Sequence, residues 1–300
     1  GRVIALDFYK NQIEKGIWPY DKGIDDYVNH TAIGPDGYFY VAFGYNDNRL
    51  IKIDLSNGNE VWSTALNRGA DTFVFDNNGY MYTGAKDDKL RKIDITDGTE
   101  ITSNGWPYTH TADIYGLGID SNNNFYIGGN SGPITKVDST GNEVTSGSWP
   151  IQNPIYYISD IIVDSNDNVY VFGNTDYNSG NYSTALIKYD VNGNDSWSFT
   201  GHTDSVSKIA ISPSEDYIYT TSDDNTTRKI DASNGNEITS GNWRLSNITA
   251  KGIATDIMGN IYLNIGYQKL RKYDSNLNEI WTYETDDSTI IHSFSVNVDY

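Results

Sequence analysis

Hydrophobic and polar residues alternate in short runs along most of the chain, and polar turns separate these runs. An apolar run such as YGLGI (115–119) ends in a polar turn, and a tyrosine-bearing run such as FYIGG (125–129) follows it. Alternation with a period of two residues is typical of half-buried β-strands. No segment keeps the period of about 3.6 residues that marks an amphipathic helix. The pattern therefore predicts an all-β protein made of short strands and tight turns.

A strand-turn-strand segment, RKIDASNGNEI at 228–238, recurs along the chain with small changes. Its aspartate recurs at spacings of 40 to 52 residues, at Asp54, Asp94, Asp138, Asp190, Asp231 and Asp274. A weaker copy surrounds Asp7. Each copy contains one tryptophan, and these are Trp18, Trp62, Trp106, Trp149, Trp197, Trp243 and Trp281. A repeat of this length predicts a ring or stack of equal structural units.

Each repeat contains four strand signals, which we name a to d in chain order, and this number matches one blade of a β-propeller. Seven copies predict a single seven-bladed β-propeller domain over residues 1–300, with four-stranded blades. We expect six blades between about 27 and 285 and a composite seventh blade from about 1–20 plus 286–300, closed by both termini. The composite blade lacks strand b. We therefore expect a chain cut from a longer protein, in which flanking sequence or a partner supplies that strand.

Two segments carry a resemblance to known repeat families. GHTDSVSKIAISPSEDYIYTTSDDNTTRKID (201–231) resembles a blade of the WD-repeat family, although Ile230 replaces the usual tryptophan. IKIDLSNGNEVW (51–62) resembles the tryptophan-docking repeats of pyrroloquinoline-quinone propellers. Both resemblances imply a propeller fold, which hosts many unrelated activities. The WD-repeat resemblance also implies a structural bond between His202 and Asp224.

The charge and composition exclude several classes of ligand. The formal net charge is −19, so the chain repels phosphate backbones, and we predict no nucleic-acid partner. No apolar run is long enough to insert into a membrane as a helix, and no cysteine is present. The quinoprotein-like repeats and the acidic composition, rich in asparagine and tyrosine, favour an extracellular or cell-surface location.

The loops that join strands b to c and d to a vary in length and are rich in aromatic residues, whereas the a–b and c–d turns are short and uniform. Both variable loops lie on the same face of a propeller, and binding residues often lie on such loops. We predict that this face binds a protein or glycan partner. The candidate binding residues are Tyr20, Trp106, Tyr108, His110, Tyr156, Tyr157, Tyr177 and Tyr182. The alternative for the tryptophans is packing between blades.

Two a–b turns, DSNNN (120–124) and DSNDN (164–168), have the oxygen-rich spacing of calcium loops. They lack the glycine and the distal glutamate of an EF-hand loop. We interpret them as turns first, with Ca²⁺ as the alternative and no other cofactor. The candidate ligands are Asp120, Asn122, Asn124, Asp164, Asn166 and Asn168.

No Ser-His-Asp or His-x-His arrangement is visible around the four histidines. His110 and His202 occupy equivalent positions in their repeats. The sequence favours a non-catalytic binding scaffold that presents its ligand or protein partner on the variable-loop face. The alternative is a secreted propeller enzyme, namely a lyase, a lactonase or a glycan-active hydrolase, that uses a metal in the central channel.

Overall fold

The computed structural model describes residues 2–3, 20–21, 27–44, 47–152, 155–175, 184–241, 243–266, 268–285, 291 and 293–296. Within these residues every regular element is a β-strand, and none forms a helix that is long and apolar enough to cross a membrane. The chain opens with β1 (Arg2–Val3), which pairs with β2 (Tyr20–Asp21) as a two-stranded ribbon. The remaining strands form six separate antiparallel sheets.

The first three sheets follow one another along the chain. Blade 1 consists of β3 (Val28–Ile33), β4 (Phe39–Phe43), β5 (Arg49–Ile53) and β6 (Glu60–Ala65). Blade 2 consists of β7 (Thr72–Phe75), β8 (Tyr80–Gly84), β9 (Lys89–Asp94), β10 (Glu100–Ile101) and β11 (Tyr108–Thr109). Blade 3 consists of β12 (Gly116–Ile119), β13 (Phe125–Gly128) and β14 (Thr135–Val137).

The second three sheets have four strands each. Blade 4 consists of β15 (Tyr157–Val163), β16 (Val169–Asn174), β17 (Thr184–Tyr189) and β18 (Asp195–Phe199). Blade 5 consists of β19 (Val206–Ile211), β20 (Tyr217–Ser222), β21 (Thr226–Asp231) and β22 (Leu245–Ser246). Blade 6 consists of β23 (Ala250–Thr255), β24 (Ile261–Ile265), β25 (Lys269–Tyr273) and β26 (Glu279–Glu284).

The inner strands of consecutive blades contact one another in the order β3, β7, β12, β15, β19 and β23, as in a propeller. Between blade 6 and blade 1 lies the short segment made of residue 291 and residues 293–296. Its Ser293 hydroxyl lies 3.3 Å from that of Thr31 in blade 1. Asn264 of blade 6 donates to the carbonyl oxygen of Ile291 at 2.6 Å. This segment therefore bridges the two blades without belonging to a strand.

The prediction of seven blades is wrong, because the described residues form six. The repeated Asp and Trp mark only the c–d half of a repeat, so counting them gives seven. A blade also needs strand b, which joins strand a to strand c, and the sequence around Asp7 carries no strand b signal. Its described part is the ribbon of β1 and β2, and within the segment predicted as its strand a, the described residues 291 and 293–296 form no strand.

Each blade has the same internal core. A tyrosine of strand b lies against the tryptophan that follows strand c, with ring centroids 5.0 to 5.9 Å apart. These pairs are Tyr40–Trp62, Tyr82–Trp106, Tyr126–Trp149, Tyr170–Trp197, Tyr219–Trp243 and Tyr262–Trp281. Burying a large side chain of this kind contributes roughly 1.5–3 kcal/mol.

The a–b turn ties into this core through its first aspartate. In five blades the tyrosine hydroxyl donates to that carboxylate at 2.7 to 3.1 Å, and the acceptors are Asp36, Asp76, Asp120, Asp164 and Asp256. The lysine of strand c reaches the same carboxylate in several blades, for example Lys136 at 3.4 Å from Asp120. The lysine of the recurrent segment is thus a buried cation with a buried partner. Blade 5 differs, because Ser212 replaces the aspartate.

The tryptophans occupy equivalent positions in their blades, but the outer strand that carries them is continuous in some blades and interrupted in others. In blades 1, 4 and 6 strand d is continuous, and the tryptophan pairs with the strand c lysine, as Trp62 does with Lys52. In blade 2 the outer strand is interrupted, so that β10 and β11 both pair with β9 on either side of Trp106. In blade 3 only isolated bridges remain, at Glu143 and Ile151, with Trp149 between them. The interruption accounts for the longer spacing between Asp and Trp in these repeats.

Candidate functional site

Two of the predicted binding aromatics belong to the outer edge of blade 2. Tyr108 lies in β11 and pairs with Leu90 of strand c, and its hydroxyl donates to Glu143 of the next blade at 2.8 Å. Trp106 is buried, with 6% of its surface exposed. Burial of Trp106 supports the alternative given for the tryptophans, which is packing between neighbouring blades.

The variable-loop face does gather other tyrosines at the mouth of the central channel. Tyr157 is the first residue of β15, and its ring lies 5.0 Å from that of Tyr115, which immediately precedes β12. Neighbouring Tyr156 is 38% exposed. Tyr27, which precedes β3 on the same face, is 51% exposed. The starts of strands a therefore bring tyrosines from three blades to one rim.

Charged groups surround the stacked pair. The hydroxyl of Tyr115 donates to Asp113 at 3.0 Å. Asp71, at the start of strand a in blade 2, accepts from the side-chain amide of Asn29 at 3.0 Å and lies 3.6 Å from the ammonium of Lys86. We call Asp71, Lys86, Asp113, Tyr115, Tyr156 and Tyr157 the tyrosine rim.

Burial shapes the electrostatics of the tyrosine rim. The pKa of Asp71 is raised, chiefly by burial and further by Asp113, although Lys86 opposes the change. The pKa of Tyr157 is also raised, by burial first and then by the charges of Asp71 and Asp113. The second carboxylate oxygen of Asp71 is buried and has no hydrogen-bond partner among the described residues. The tyrosine rim thus presents half-buried phenol rings beside incompletely neutralised carboxylates.

The two equivalent histidines have different surroundings. In blade 5 the Nδ1 of His202 lies 2.9 Å from Asp224, and its Nε2 lies 2.8 Å from the hydroxyl of Thr220. In blade 3 the Nδ1 of His110 donates to the carbonyl oxygen of Ala112 at 2.9 Å, while its Nε2 is buried without a partner in the described chain. Ile127 stands where Thr220 stands in blade 5.

These contacts determine the chemistry that each histidine can carry out. Burial lowers the pKa of His202 although Asp224 opposes the change. Burial acts to raise the pKa of Asp224, but hydrogen bonds from His202 and Thr226 outweigh it and hold that pKa low. Both side chains are almost fully buried, and Arg228 lies 3.5 Å from the same carboxylate. His110 is only 4% exposed. A ligand on the surface could reach neither imidazole, so both belong to the interior of their blades.

The candidate calcium ligands face hydrogen-bond donors. Asp120 accepts from the backbone N–H groups of Asn122 and Asn124, at 3.0 and 2.8 Å, and from the side-chain amide of Asn124. Asp164 is bound in the same way by Asn166 and Asn168. The amide nitrogen points at each carboxylate, where a calcium site would need an oxygen. No group of three or more acidic or histidine side chains in the described part of the chain is placed to hold a metal.

The side-chain positions of three other predicted binding residues are not described. Tyr177 and Tyr182 lie outside the described residues, and for Tyr20 only its pairing with Val3 is described. Sequence reasoning missed Asp71, Asp113 and Tyr115. Their position in the sequence could have indicated them. Each stands just before an apolar strand a, and the starts of these strands lie at the channel mouth.

Comparisons with known proteins agree with this architecture. The family model described as outer membrane protein assembly factor BamB matches residues 18–241. A structure titled "Crystal structure of RRP9 WD40 repeats" superimposes with a TM-score of 0.73 at 11% identity, covering 91% of this chain and 84% of that one. "Structure of U3-55K" gives 0.73 at 10% identity, covering 91% and 85%. Such low identities show the fold alone.

No curated protein matches the chain. The comparisons confirm the predicted β-propeller group, with its WD-repeat and quinoprotein-like repeats. The family match extends over more than half of the 300 residues and ends within blade 5. The chain therefore belongs to the β-propeller family described as outer membrane protein assembly factor BamB.

Proposed function

We propose that this chain is a non-catalytic protein-interaction module whose partner docks on the face of the b–c and d–a loops. The tyrosine rim carries the proposal, because it joins Tyr115, Tyr156 and Tyr157 from two blades beside the channel mouth. Tyrosine supplies a large contact area with few rotatable bonds, and it is enriched among the residues that dominate binding energy at protein interfaces. Asp71 and Asp113 add polar groups that can orient a partner.

The family description supports a protein partner. An assembly factor works together with other proteins, and the WD40 propellers that this fold resembles make a scaffold role compatible. The family description also refers to the outer membrane, and we propose an extracellular or cell-surface setting for the chain. Tyrosine rings also stack on sugars, so a glycan is the second ligand class that this surface suits. We favour protein because the family description is that of an assembly factor and the similar solved structures are WD40 propellers.

A paired set of variants tests the docking face. The double substitution Tyr156→Ala and Tyr157→Ala removes two side chains from the tyrosine rim. The matched control, Ile257→Ala and Met258→Ala, removes exposed side chains from an a–b turn on the opposite face, where they are 55% and 75% exposed. Partners would be captured from the source organism and quantified for each variant after circular dichroism shows equal folding.

We expect the rim variant to lose its partner and the control to retain it. For one central anchor the loss is about 1–3 kcal/mol, or about fivefold to 150-fold in Kd. Retention by the rim variant together with loss by the control would place the interface on the opposite face. A glycan array with the same two variants would reveal whether the rim binds sugar instead.

A further inference from the structure

The central channel is a cavity of about 480 Å³ that runs between the six inner strands. Residues of all six strands a and the segment 293–296 line it. A cavity of this size is within the range that holds small organic ligands. The channel is therefore large enough for a ligand of its own, separate from any partner on the tyrosine rim.

Four of the six inner strands carry an irregularity at the same height, near the end that faces the rim. The register shifts between Val28 and His30, between Ile158 and Asp160, between Val206 and Ile209, and between Ala250 and Gly252. β-bulges redirect side chains and are frequent beside binding sites. Here they place a polar ring on the channel wall, which we call the collar: His30, Asp160, Lys208 and Lys251.

The charged groups of the collar include one loosely paired and partly exposed cation, Lys208. Lys251 is closely paired with Asp223. The ion pair between Lys208 and Asp160 spans 3.6 Å, which is longer than a hydrogen bond, and the Lys208 side chain is 32% exposed. An ammonium group has three donors, so Lys208 can bind an anionic group in the channel. Two lysines and one aspartate line this wall in a chain whose net charge is −19.

His30 adds a neutral polar group to the collar. Its ring packs edge-on against Phe73, with the centroids 4.6 Å apart. Burial and the neighbouring charge of Lys208 lower its pKa to about 3, so the imidazole is uncharged at neutral pH. A neutral imidazole can donate to a head group beside Lys208 without adding charge.

Below the collar, toward the a–b turns, the wall becomes aliphatic. The lining side chains there are half-buried and leave part of their surface to the channel; they are Val74, Ile119, Ile162, Val163, Ile211 and Ala254. The cavity is thus amphipathic along its axis, with a polar collar at one end and a hydrocarbon wall at the other.

We propose that the channel binds an amphiphilic carboxylate, an alkyl chain with one carboxylate head group. The carboxylate lies at the collar against Lys208 and His30, and the alkyl chain lies along the aliphatic wall. Both parts are needed, because the head group alone gains little in water and the alkyl chain alone adds no acceptor for the ammonium of Lys208 beyond its 3.6 Å ion pair with Asp160.

Calorimetric titration of the folded chain with decanoate at pH 7.5 tests the proposal. Acetate supplies the head group without the chain, and decylammonium supplies the chain with the opposite charge. We expect saturable binding of one decanoate, and weaker or no binding of the other two. Lys208→Met should weaken decanoate binding about tenfold or more, because it removes a charge-assisted hydrogen bond. Ala254→Phe should abolish binding by filling the space of the alkyl chain.

Lys269→Met, on strand c of blade 6 and away from the channel, is the matched control and should bind decanoate like the unaltered chain. The absence of saturable binding, or equal decanoate affinity in Lys208→Met, would overturn the proposal. Equal affinity for decylammonium would also overturn it, and this comparison uses the unaltered chain, so it holds even if a variant fails to fold.

Discussion

The indole N–H of Trp197 donates to the carbonyl oxygen of Ala232 at 3.1 Å, and this bond joins blade 4 to blade 5. The same contact joins Trp62 to Ile95 and Trp149 to Val191, each at 3.0 Å. The acceptor is always the residue after the recurrent aspartate. The contact requires a glycine in the same turn, because a Cβ on Gly235 would lie 2.6 Å from a ring atom of Trp197.

Comparing two tryptophans isolates the energy of this bond. Trp62 has its acceptor, whereas the indole nitrogen of Trp281 is buried without a partner in the described chain. Trp62→Phe should lower the free energy of unfolding by about 1 kcal/mol more than Trp281→Phe, because only the first loses a hydrogen bond. Urea unfolding of both variants measures the difference. Equal losses would mean that the ring alone accounts for the effect.

The a–b turns should depend on their carboxylates and not on calcium. Asp120→Asn leaves the buried hydroxyl of Tyr126 and the ammonium of Lys136 without their anion, so we expect a loss of about 1–3 kcal/mol. A chelator should leave the melting temperature of the unaltered chain unchanged. Asp274→Asn, in an exposed c–d turn with similar backbone bonds, is the control and should cost less. A fall of ten degrees on chelation would instead reveal a bound cation.

Blade 5 lacks the turn aspartate, and restoring it should stabilise the protein. Burial lowers the pKa of Lys229, whose ammonium lies 3.6 Å from the ring centroid of Tyr217 and 4.4 Å from that of Trp243. Ser212→Asp would supply the anion that four other blades place beside this lysine. We expect the denaturation midpoint to rise and the pKa of Lys229 to increase. A lower midpoint would show that the blade has adapted to serine.

Stability should decrease as the solution is made more acidic than about pH 6.5. The pKa of His30 is lowered to about 3 and that of His202 is also lowered, mainly by burial in both cases. The unfolded chain therefore binds protons that the folded chain excludes, and folding loses free energy as pH falls. For His30 alone the loss at pH 5 is at most about 2 kcal/mol.

Unfolding curves from pH 7.5 to 5 measure this loss, and His30→Asn should flatten it. Asp160 acts in the opposite sense, because burial raises its pKa and the folded state then retains a proton more readily. Asp160 therefore offsets part of the loss as the pH falls through its raised pKa. An unchanged slope in His30→Asn would assign the pH dependence to other groups.

The sequence predicted the strands and the propeller because each blade repeats its own chemistry. The tyrosine of strand b and the lysine of strand c recur at readable positions, and both proved to be core residues, as with Tyr126 and Lys136. The blade number was wrong because Asp7 and Trp18 count as a repeat although the sequence beside them carries no strand b signal. The recurrence of strands c and d alone therefore does not establish a complete four-stranded blade.

The candidate site was less predictable for a different physical reason. Tyr115 and Tyr157 are 42 residues apart and meet only because the starts of strands a converge on the channel mouth. The collar depends on bulges, which shift the register by a residue without leaving a visible break in the alternating pattern. The pairing of Tyr108 with strand c was not predicted, because the interruption of the outer strand beside Trp106 resembles a loop in the sequence.

The bonds that tryptophans make to the next blade also set an order of events during synthesis. Each known bond runs from a blade to its successor, over 33 residues for Trp62, 42 for Trp149 and 35 for Trp197. A nascent chain that has just completed one blade therefore still exposes an indole to the solvent and to chaperones. The ribosome must synthesise most of the next repeat before that indole is covered. Each blade is therefore fully packed only after the following blade has been made.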